Sequence, residues 1–136
     1  MKSIFLVIFI SFLPSCLSGA IAAEFDYKQV YRADTGKVDK YIVRYLTSFA
    51  TPCVTVQTFI PGGDGKIFKE KEFCSIDGKN LIDGYSEVEL KKGEFKEGRL
   101  VLTFEVTPLA RVEGYVEACD VTFENGSPQG LFCKKA

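Results

Sequence analysis

The 136-residue sequence contains no histidine and no tryptophan. Histidine is the usual general base near neutral pH, the partner of serine and cysteine nucleophiles, and the commonest metal ligand. Its absence excludes Ser-His and Cys-His catalytic pairs and every metal site built on imidazole. A sugar-cleaving cleft would be expected to use tryptophan for stacking. We therefore expect that the chain is not an enzyme and uses no cofactor and no metal ion.

An excess of charge of one sign is also missing, since 17 Lys and Arg stand against 18 Asp and Glu. Nucleic-acid binding needs clustered basic residues, and attachment to a membrane surface commonly uses a basic amphipathic helix. Neither pattern occurs, so neither nucleic acid nor a membrane is an expected partner.

A long hydrophobic run occurs at the N-terminus, where residues 4–13 follow Met1-Lys2 and precede the small residues 18–23. This order of charge, short apolar core and small residues predicts a secretory signal peptide over residues 1–23. Residues 24–136 then form a single domain that is periplasmic or secreted. The alternative is a lipid anchor, because residues 13–16 resemble a lipobox ending at Cys16.

Cysteine parity predicts a disulfide framework. Five cysteines become four if Cys16 leaves with the leader, and an even number in a small exported domain favours disulfides. Zinc binding is disfavoured because there is no CxxC spacing. The expected disulfide cysteines are Cys53, Cys74, Cys119 and Cys133.

Apolar residues alternate with polar ones along most of the chain, which is typical of half-buried strands. Between these segments lie turn residues, at 34–36, 62–65, 77–80, 93–98 and 125–128. The predicted fold class is all-β, a single antiparallel barrel or sandwich of about eight strands with two disulfides. The predicted strand segments are 25–32, 38–49, 53–60, 66–75, 85–92, 99–107, 112–124 and 130–134.

Hairpin register tests which cysteines face each other. A hairpin centred on Gly63-Asp64 places Cys53 opposite Cys74, with Val54 opposite Phe73 and Phe59 opposite Phe68. A hairpin centred on Gly126 places Cys119 opposite Cys133 and Val121 opposite Leu131. Opposite Cβ atoms are within reach of a disulfide, so these two pairings are predicted.

The strand segment 112–124 contains a conflict of side-chain parity. Val112, Val116 and Ala118 share one face, whereas Val121 and Phe123 share the other. A regular strand cannot bury both sets on the same side. We therefore predict a bulge near Cys119-Asp120, or a bend where the strand crosses between sheets.

Glutamates spaced two apart on strands are the remaining catalytic candidates, because two carboxylates flanking a cleft can hydrolyse a glycoside. Alternating glutamates more commonly form the solvated face of a strand, which is the favoured interpretation here. The Gly62 to Lys66 loop lacks the residues that end a phosphate-binding loop, so a hairpin turn is expected. The glutamate pairs are Glu70 with Glu72, Glu87 with Glu89, and Glu113 with Glu117.

In a simple meander the turns at 34–37, 62–65, 93–98 and 125–128 lie at the same end of the domain. That end carries several carboxylates, and Phe95 within a charged turn is a candidate exposed aromatic anchor. Loops on a rigid scaffold are a common place for recognition. The predicted partner-binding residues are Asp64, Glu94, Phe95, Glu97 and Glu124, with Asp34 at the same end.

A small exported β-domain with two disulfides and an acidic loop end is similar in general build to periplasmic lysozyme inhibitors. It also resembles immunity proteins that neutralise cell-wall-degrading effectors. This resemblance implies a protein partner, a peptidoglycan hydrolase, whose cleft receives a loop. The chain differs from such inhibitors in having Asp83-Gly84-Tyr85 where a Ser-Gly-x-x-Tyr signature would be sought.

Two other functions remain open at this stage. A receptor- or glycan-binding module, such as a toxin binding subunit or adhesin component, predicts an oligomer, and a homodimer also stays open. Carriage of a small apolar ligand requires an empty barrel interior, which many phenylalanine side chains would fill.

Overall fold

A computed structural model describes residues 25–136, so the predicted leader and Cys16 lie outside the described residues. A short 3₁₀ turn, Tyr27–Gln29, precedes the strands and is capped by the Asp26 carboxylate, which accepts a hydrogen bond from the Lys28 amide. The strands are β1 Val30–Val38, β2 Tyr41–Ser48, β3 Thr51–Phe59, β4 Ile67–Phe73, β5 Ser75–Ile76, β6 Lys79–Asn80, β7 Tyr85–Lys96, β8 Arg99–Pro108, β9 Tyr115–Glu124 and β10 Ser127–Lys135.

The strands form two four-stranded antiparallel sheets, β1-β2-β3-β4 and β10-β9-β8-β7, with β5 and β6 pairing separately. The sheets do not close into a barrel, so the fold is a sandwich. Side chains connect the sheet edges: Arg32 of β1 donates to the Leu90 carbonyl of β7, and Lys71 of β4 donates to the Gln129 carbonyl of β10.

The core lies between the two sheets and is built by side-chain alternation. Buried side chains of the first sheet, Val43, Val54 and Val56 among them, face those of the second, including Leu102 and Phe104. Each of these five side chains is at most 1% exposed. Burial of this kind is the main favourable contribution to folding.

Both predicted disulfides are present, Cys53–Cys74 and Cys119–Cys133. The two residues of the second bridge are directly paired in the β9–β10 register. Disulfides of this kind belong to an oxidising, extracellular or periplasmic environment. Within residues 25–136 there is no helix long and apolar enough to cross a membrane.

The register of the β3–β4 hairpin agrees with the prediction near the disulfide and departs from it near the loop. Val54 pairs with Phe73 as expected, but Phe59 pairs with Ile67 and not with Phe68. A register shift beside Phe59 accounts for the difference, because one additional residue of β4 is accommodated there.

The turn predicted at residues 34–36 is wrong. Strand β1 continues through Gly36, which pairs with Val43, and the chain reverses at Asp39-Lys40 instead. The Phe95 ring lies 2.3 Å from the position that a Cβ atom on Gly36 would occupy. Gly36 is therefore required for the close approach of an aromatic ring, a known role of glycine inside a strand.

The bulge predicted near Cys119-Asp120 is also wrong. Strand β9 pairs with β8 without interruption from Tyr115 to Val121. The parity conflict is resolved by burying Glu117 on the inner face, in line with Cys119 and Val121, while Val116 faces outward and is 39% exposed. The strand therefore accepts a buried carboxyl group in place of a bulge.

Candidate functional site

Four hairpin connections lie at one end of the sandwich, which we call the hairpin-tip end. They are the β1–β2 turn at 39–40, the β3–β4 loop at 60–66, the β7–β8 turn at 97–98 and the β9–β10 turn at 125–126. Asp39 lines one cleft with Asn125 and Gly126, and a second cleft with Glu97 and Gly98, so these turns are neighbours. The expectation that alternate turns share an end holds, with 39–40 in place of 34–37 and 97–98 in place of 93–98.

Left-handed backbone at these turns follows from local sequence. Asp39, Asp64 and Asn125 have φ values of 54°, 53° and 49°. Aspartate and asparagine are the non-glycine residues that tolerate this region best, because their short polar side chains bond to nearby backbone. Local sequence therefore favours the observed backbone in the two-residue turns at 39–40 and 125–126 and in the longer β3–β4 loop.

The predicted site residues separate into two groups in the structure. Asp64 and Glu97 lie in turns and Glu124 ends β9 beside its turn, and all three are exposed at the hairpin-tip end. Asp39, which sequence reasoning did not single out, joins them there. Asp34 does not, because it lies within β1 and pairs with Tyr45.

Glu94 lies within β7 and points away from the core. Its carboxylate is 2.8 Å from Lys92 Nζ and 3.8 Å from Lys96 Nζ. The hydrogen bond and charge of Lys92, followed by the charge of Lys96, lower the pKa of Glu94. Glu94 is therefore already engaged by two lysines of its own strand.

Phe95 is an inward-facing strand residue, which corrects the expectation of an exposed loop aromatic. Its ring centroid lies 6.0 Å from that of Tyr45, and it packs against the edge of the core. Burial, followed by the negative charge of Asp34, raises the pKa of the Tyr45 hydroxyl. Phe95 closes the hairpin-tip end of the core and fixes the β7–β8 turn above it.

Two open clefts separate the tips, with volumes of about 340 Å³ and about 450 Å³. Lys40 lines the first cleft, and Lys37 and Lys96 line the second. The hairpin-tip end therefore carries ammonium groups between its carboxylates, and it is less acidic than the sequence alone suggested.

The three glutamate pairs lie in different surroundings. Glu87 and Glu89 are exposed on β7, where Glu89 accepts a hydrogen bond from Lys91, and Glu70 and Glu72 are exposed on β4. Glu113 lies in the exposed β8–β9 loop, whereas Glu117 is buried. The solvated-face interpretation fits the first two pairs, and the third is divided between solvent and core.

Glu117 is the chemically unusual residue that sequence reasoning missed. It is 3% exposed, and its Oε2 atom has no hydrogen-bond partner among the described residues. Burial, followed by the hydrogen bond and charge of Asp77, raises its pKa to about 7, against smaller lowering effects of Lys135 and Lys79. A usable signal was its parity with Cys119, Val121 and Phe123, because an alternating series of apolar residues marks the inner face of a strand.

Two tyrosines accompany Glu117 at the opposite end of the domain. The Tyr85 hydroxyl donates to the Ile76 carbonyl at 3.1 Å, and burial raises its pKa to about 12. Burial, followed by the charge of Glu117, also raises the pKa of Tyr115, whose ring lies 4.6 Å from Lys135 Nζ. Among these residues Glu117 is the group that titrates near neutral pH.

Two clusters of the described residues place a carboxylate beside cysteine sulfurs, Glu72 with Cys53 and Cys74, and Glu117 with Cys119 and Cys133. In both clusters the sulfurs are joined to each other as a disulfide. Metal ligation by cysteine requires the thiolate, so neither cluster is a metal centre in the oxidised protein.

Comparison with known proteins gave no match: no family profile, no curated protein and no solved structure aligned significantly with the chain.

Proposed function

We propose that the chain is an exported binding protein that docks a protein partner through its hairpin-tip end. The proposed partner is a cell-wall-degrading hydrolase of lysozyme or muramidase type, which the chain inhibits or to which it confers immunity by inserting a tip into the catalytic cleft. The observation that carries the proposal is the collection of carboxylate-bearing tips at one end of a disulfide-stapled sandwich.

The carboxylates at the tips are free to meet a partner. Within residues 25–136 none of Asp39, Asp64, Glu97 and Glu124 forms an ion pair, in contrast to Glu94. Exposed charges of this kind steer association with an oppositely charged surface and fix its orientation. Preformed turns reduce the entropy that ordering a loop would cost on binding.

Inhibition assays on a panel of purified lysozyme-type muramidases test the proposal. The informative variant carries Asp39→Asn, Asp64→Asn and Glu97→Gln, because asparagine is also tolerated at the left-handed positions. We expect at least a tenfold loss of affinity with little change in thermal stability. The matched control, Asp83→Asn with Glu87→Gln and Glu113→Gln, removes three exposed carboxylates away from the tips and should bind normally.

Two results would contradict the proposal. One is that no muramidase of the panel is bound or inhibited. The other is that the control triple variant loses as much affinity as the tip triple variant, since general charge and not the hairpin-tip end would then govern binding.

A receptor- or glycan-binding module is the second candidate. A pair of exposed aromatic side chains favours it: the rings of Tyr31 and Phe49 are 4.6 Å apart, with 51% and 79% of these residues exposed. Aromatic faces of this kind are typical binding anchors. A glycan-array signal that Phe49→Ala removes, together with a defined oligomer, would favour this function over the first.

A further inference from the structure

A row of polar side chains crosses the outer face of the β1-β2-β3-β4 sheet. Arg44 is paired in register with Thr35 on one side and Gln57 on the other, and Gln57 is paired with Glu70. Thr35 and Arg44 of this row, together with the β3–β4 loop, line an open cleft of about 480 Å³.

Hydrogen bonds fix the orientation of Arg44. Its Nε and Nη2 atoms both donate to Gln57 Oε1, at 3.0 and 2.6 Å. The Gln57 amide nitrogen donates in turn to the Tyr27 hydroxyl at 2.9 Å and to Glu70 Oε1 at 3.4 Å. Gln57 is fully buried, so this network holds the guanidinium from below.

Two aromatic rings lie beside the same guanidinium. The Arg44 Cζ atom lies 4.9 Å from the Phe59 ring centroid and 5.7 Å from that of Tyr27. Such stacking suits arginine, whose charge is delocalised over a plane and weakly hydrated. The side chain is therefore preorganised and needs little further ordering when it binds a ligand.

The hydrogen-bonding capacity of Arg44 is only partly used. A guanidinium has five N–H donors, and Gln57 engages two of them along the Nε edge. Among residues 25–136, no carboxylate forms an ion pair with Arg44. The Nη1–Nη2 edge therefore remains available, and it matches a carboxylate through two parallel hydrogen bonds.

The residues that line the cleft indicate the chemical character of the rest of the ligand. Ile42, Phe59 and Ile60 supply apolar surface beside Arg44, while Asp64 is the acidic residue of the lining. The volume is that of a small-molecule site, where a few polar groups orient an apolar body. We propose that this cleft, the Arg44 cleft, binds an organic carboxylate whose apolar body rests on Phe59 and the two isoleucines.

Titration of the protein with phenylacetate, followed by nuclear magnetic resonance, tests this site. We expect saturable shifts at Arg44 Nε–H and at the amides of Ile42, Phe59 and Gly62. Phenylacetamide keeps the ring and lacks the charge, so it should bind at least tenfold more weakly. Arg44→Gln should abolish the shifts, and Arg44→Lys should weaken binding about fivefold or more because a lysine lacks the planar fork.

Asp64→Asn provides a variant that does not disturb the Arg44 network. Removing a negative charge from the lining should strengthen phenylacetate binding about twofold, and Arg99→Gln on the other sheet should leave it unchanged. Under the proposed function, the same Asp64→Asn change weakens muramidase docking. The variant therefore moves the two affinities in opposite directions, and either proposal can fail without the other.

The carboxylate has two possible sources, a small organic acid or the C-terminus of a peptide. A short peptide that ends in phenylalanine with a free C-terminus distinguishes them. Tighter binding of this peptide than of phenylacetate would indicate a peptide C-terminus, and weaker binding would indicate a small organic acid. In both cases the uncharged form, phenylacetamide or the peptide with an amidated C-terminus, must bind more weakly than the matching carboxylate. Equal binding of phenylacetate and phenylacetamide, or unchanged binding to folded Arg44→Lys, would overturn the proposal.

Discussion

The two ends of the sandwich are built in different ways. At the hairpin-tip end, three of the four connections are two-residue turns, and the residues in them are mainly charged or glycine. The opposite end, which we call the loop end, contains the β2–β3 turn, residues 77–84 and the β8–β9 loop at 109–114. It exposes large apolar side chains, Phe49, Ile82, Leu109 and Val112, and it buries the Glu117 carboxyl.

This difference shows that adjacent residues determine the structure of one end, whereas contacts between distant segments determine the properties of the other. Turn geometry at the hairpin-tip end is decided by a few adjacent residues with left-handed backbone. At the loop end, the protonation of Glu117 depends first on its burial, and then on Asp77 in the β5–β6 turn and on Lys135 in β10. The first end is therefore expected to tolerate changes of charge, and the second to respond to pH and to the loss of distant contacts.

The largest expected effect comes from removing a disulfide. The Cys53–Cys74 bridge lies toward the loop end, because Cys53 is near the start of β3 and Cys74 follows β4. Replacing both cysteines by alanine should lower the free energy of unfolding by about 2–4 kcal/mol. Hydrogen exchange should accelerate most in residues 75–84. Faster exchange at the hairpin tips than at these residues would contradict the division between the ends.

A pH-dependent effect of intermediate size is expected at Glu117. The native state binds this proton more tightly than the unfolded chain, since the native pKa is about 7 and the ordinary value is 4.5. The stability associated with the protonated carboxyl is fully present below about pH 4.5 and is lost as the pH rises through 7. Glu117→Gln should therefore be stabilised relative to the wild type at pH 8, by roughly 1–3 kcal/mol, and less at pH 4.

Chemical denaturation of both proteins from pH 4 to pH 9 measures this difference. Glu113→Gln, an exposed glutamate at the same end, is the control and should follow the wild-type profile. A stability difference between Glu117→Gln and wild type that stays constant across this range would show that Glu117 does not titrate there.

A smaller effect is expected when a glycine at a tip is replaced. Gly126 has a φ of 79°, and a Cβ atom would lie 2.6 Å from the Tyr41 ring, whereas Gly62 has a φ of 68° with open space around it. Gly62→Ala should cost about 1 kcal/mol, from backbone strain alone. Gly126→Ala should cost somewhat more, about 1–2 kcal/mol in total, because the ring must also move. Equal melting temperatures for the two variants would contradict the packing role of Gly126.

Sequence patterns predicted the elements that depend on neighbours in the chain. The strand class, both disulfides and the Asn125-Gly126 turn follow from alternation, hairpin register and turn residues. Gly36 and Gly93 show the limit of such reasoning. Both resemble turn residues, but each lies within a strand against an aromatic ring, Phe95 or Tyr45, from a distant segment.

The candidate site residues were predicted less completely. Asp64, Glu97 and Glu124 do lie at the hairpin-tip end, but the exposure of Phe95 was predicted wrongly because the length of β7 depends on its pairing with β8. The Arg44 cleft was not found, since its residues come together from three strands and the β3–β4 loop. Glu117 was read as solvated because glutamate usually is, although its parity with Cys119 indicates the inner face.

Hydrogen-exchange footprinting of the complex with an inhibited muramidase tests the central claim most directly, because it reports which end of the domain is covered. Slower exchange at residues 39–40, 62–65, 97–98 and 124–126 is the predicted result. Slower exchange confined to residues 82–84 and 109–114, with the tips unchanged, would place the partner on the loop end and contradict the account.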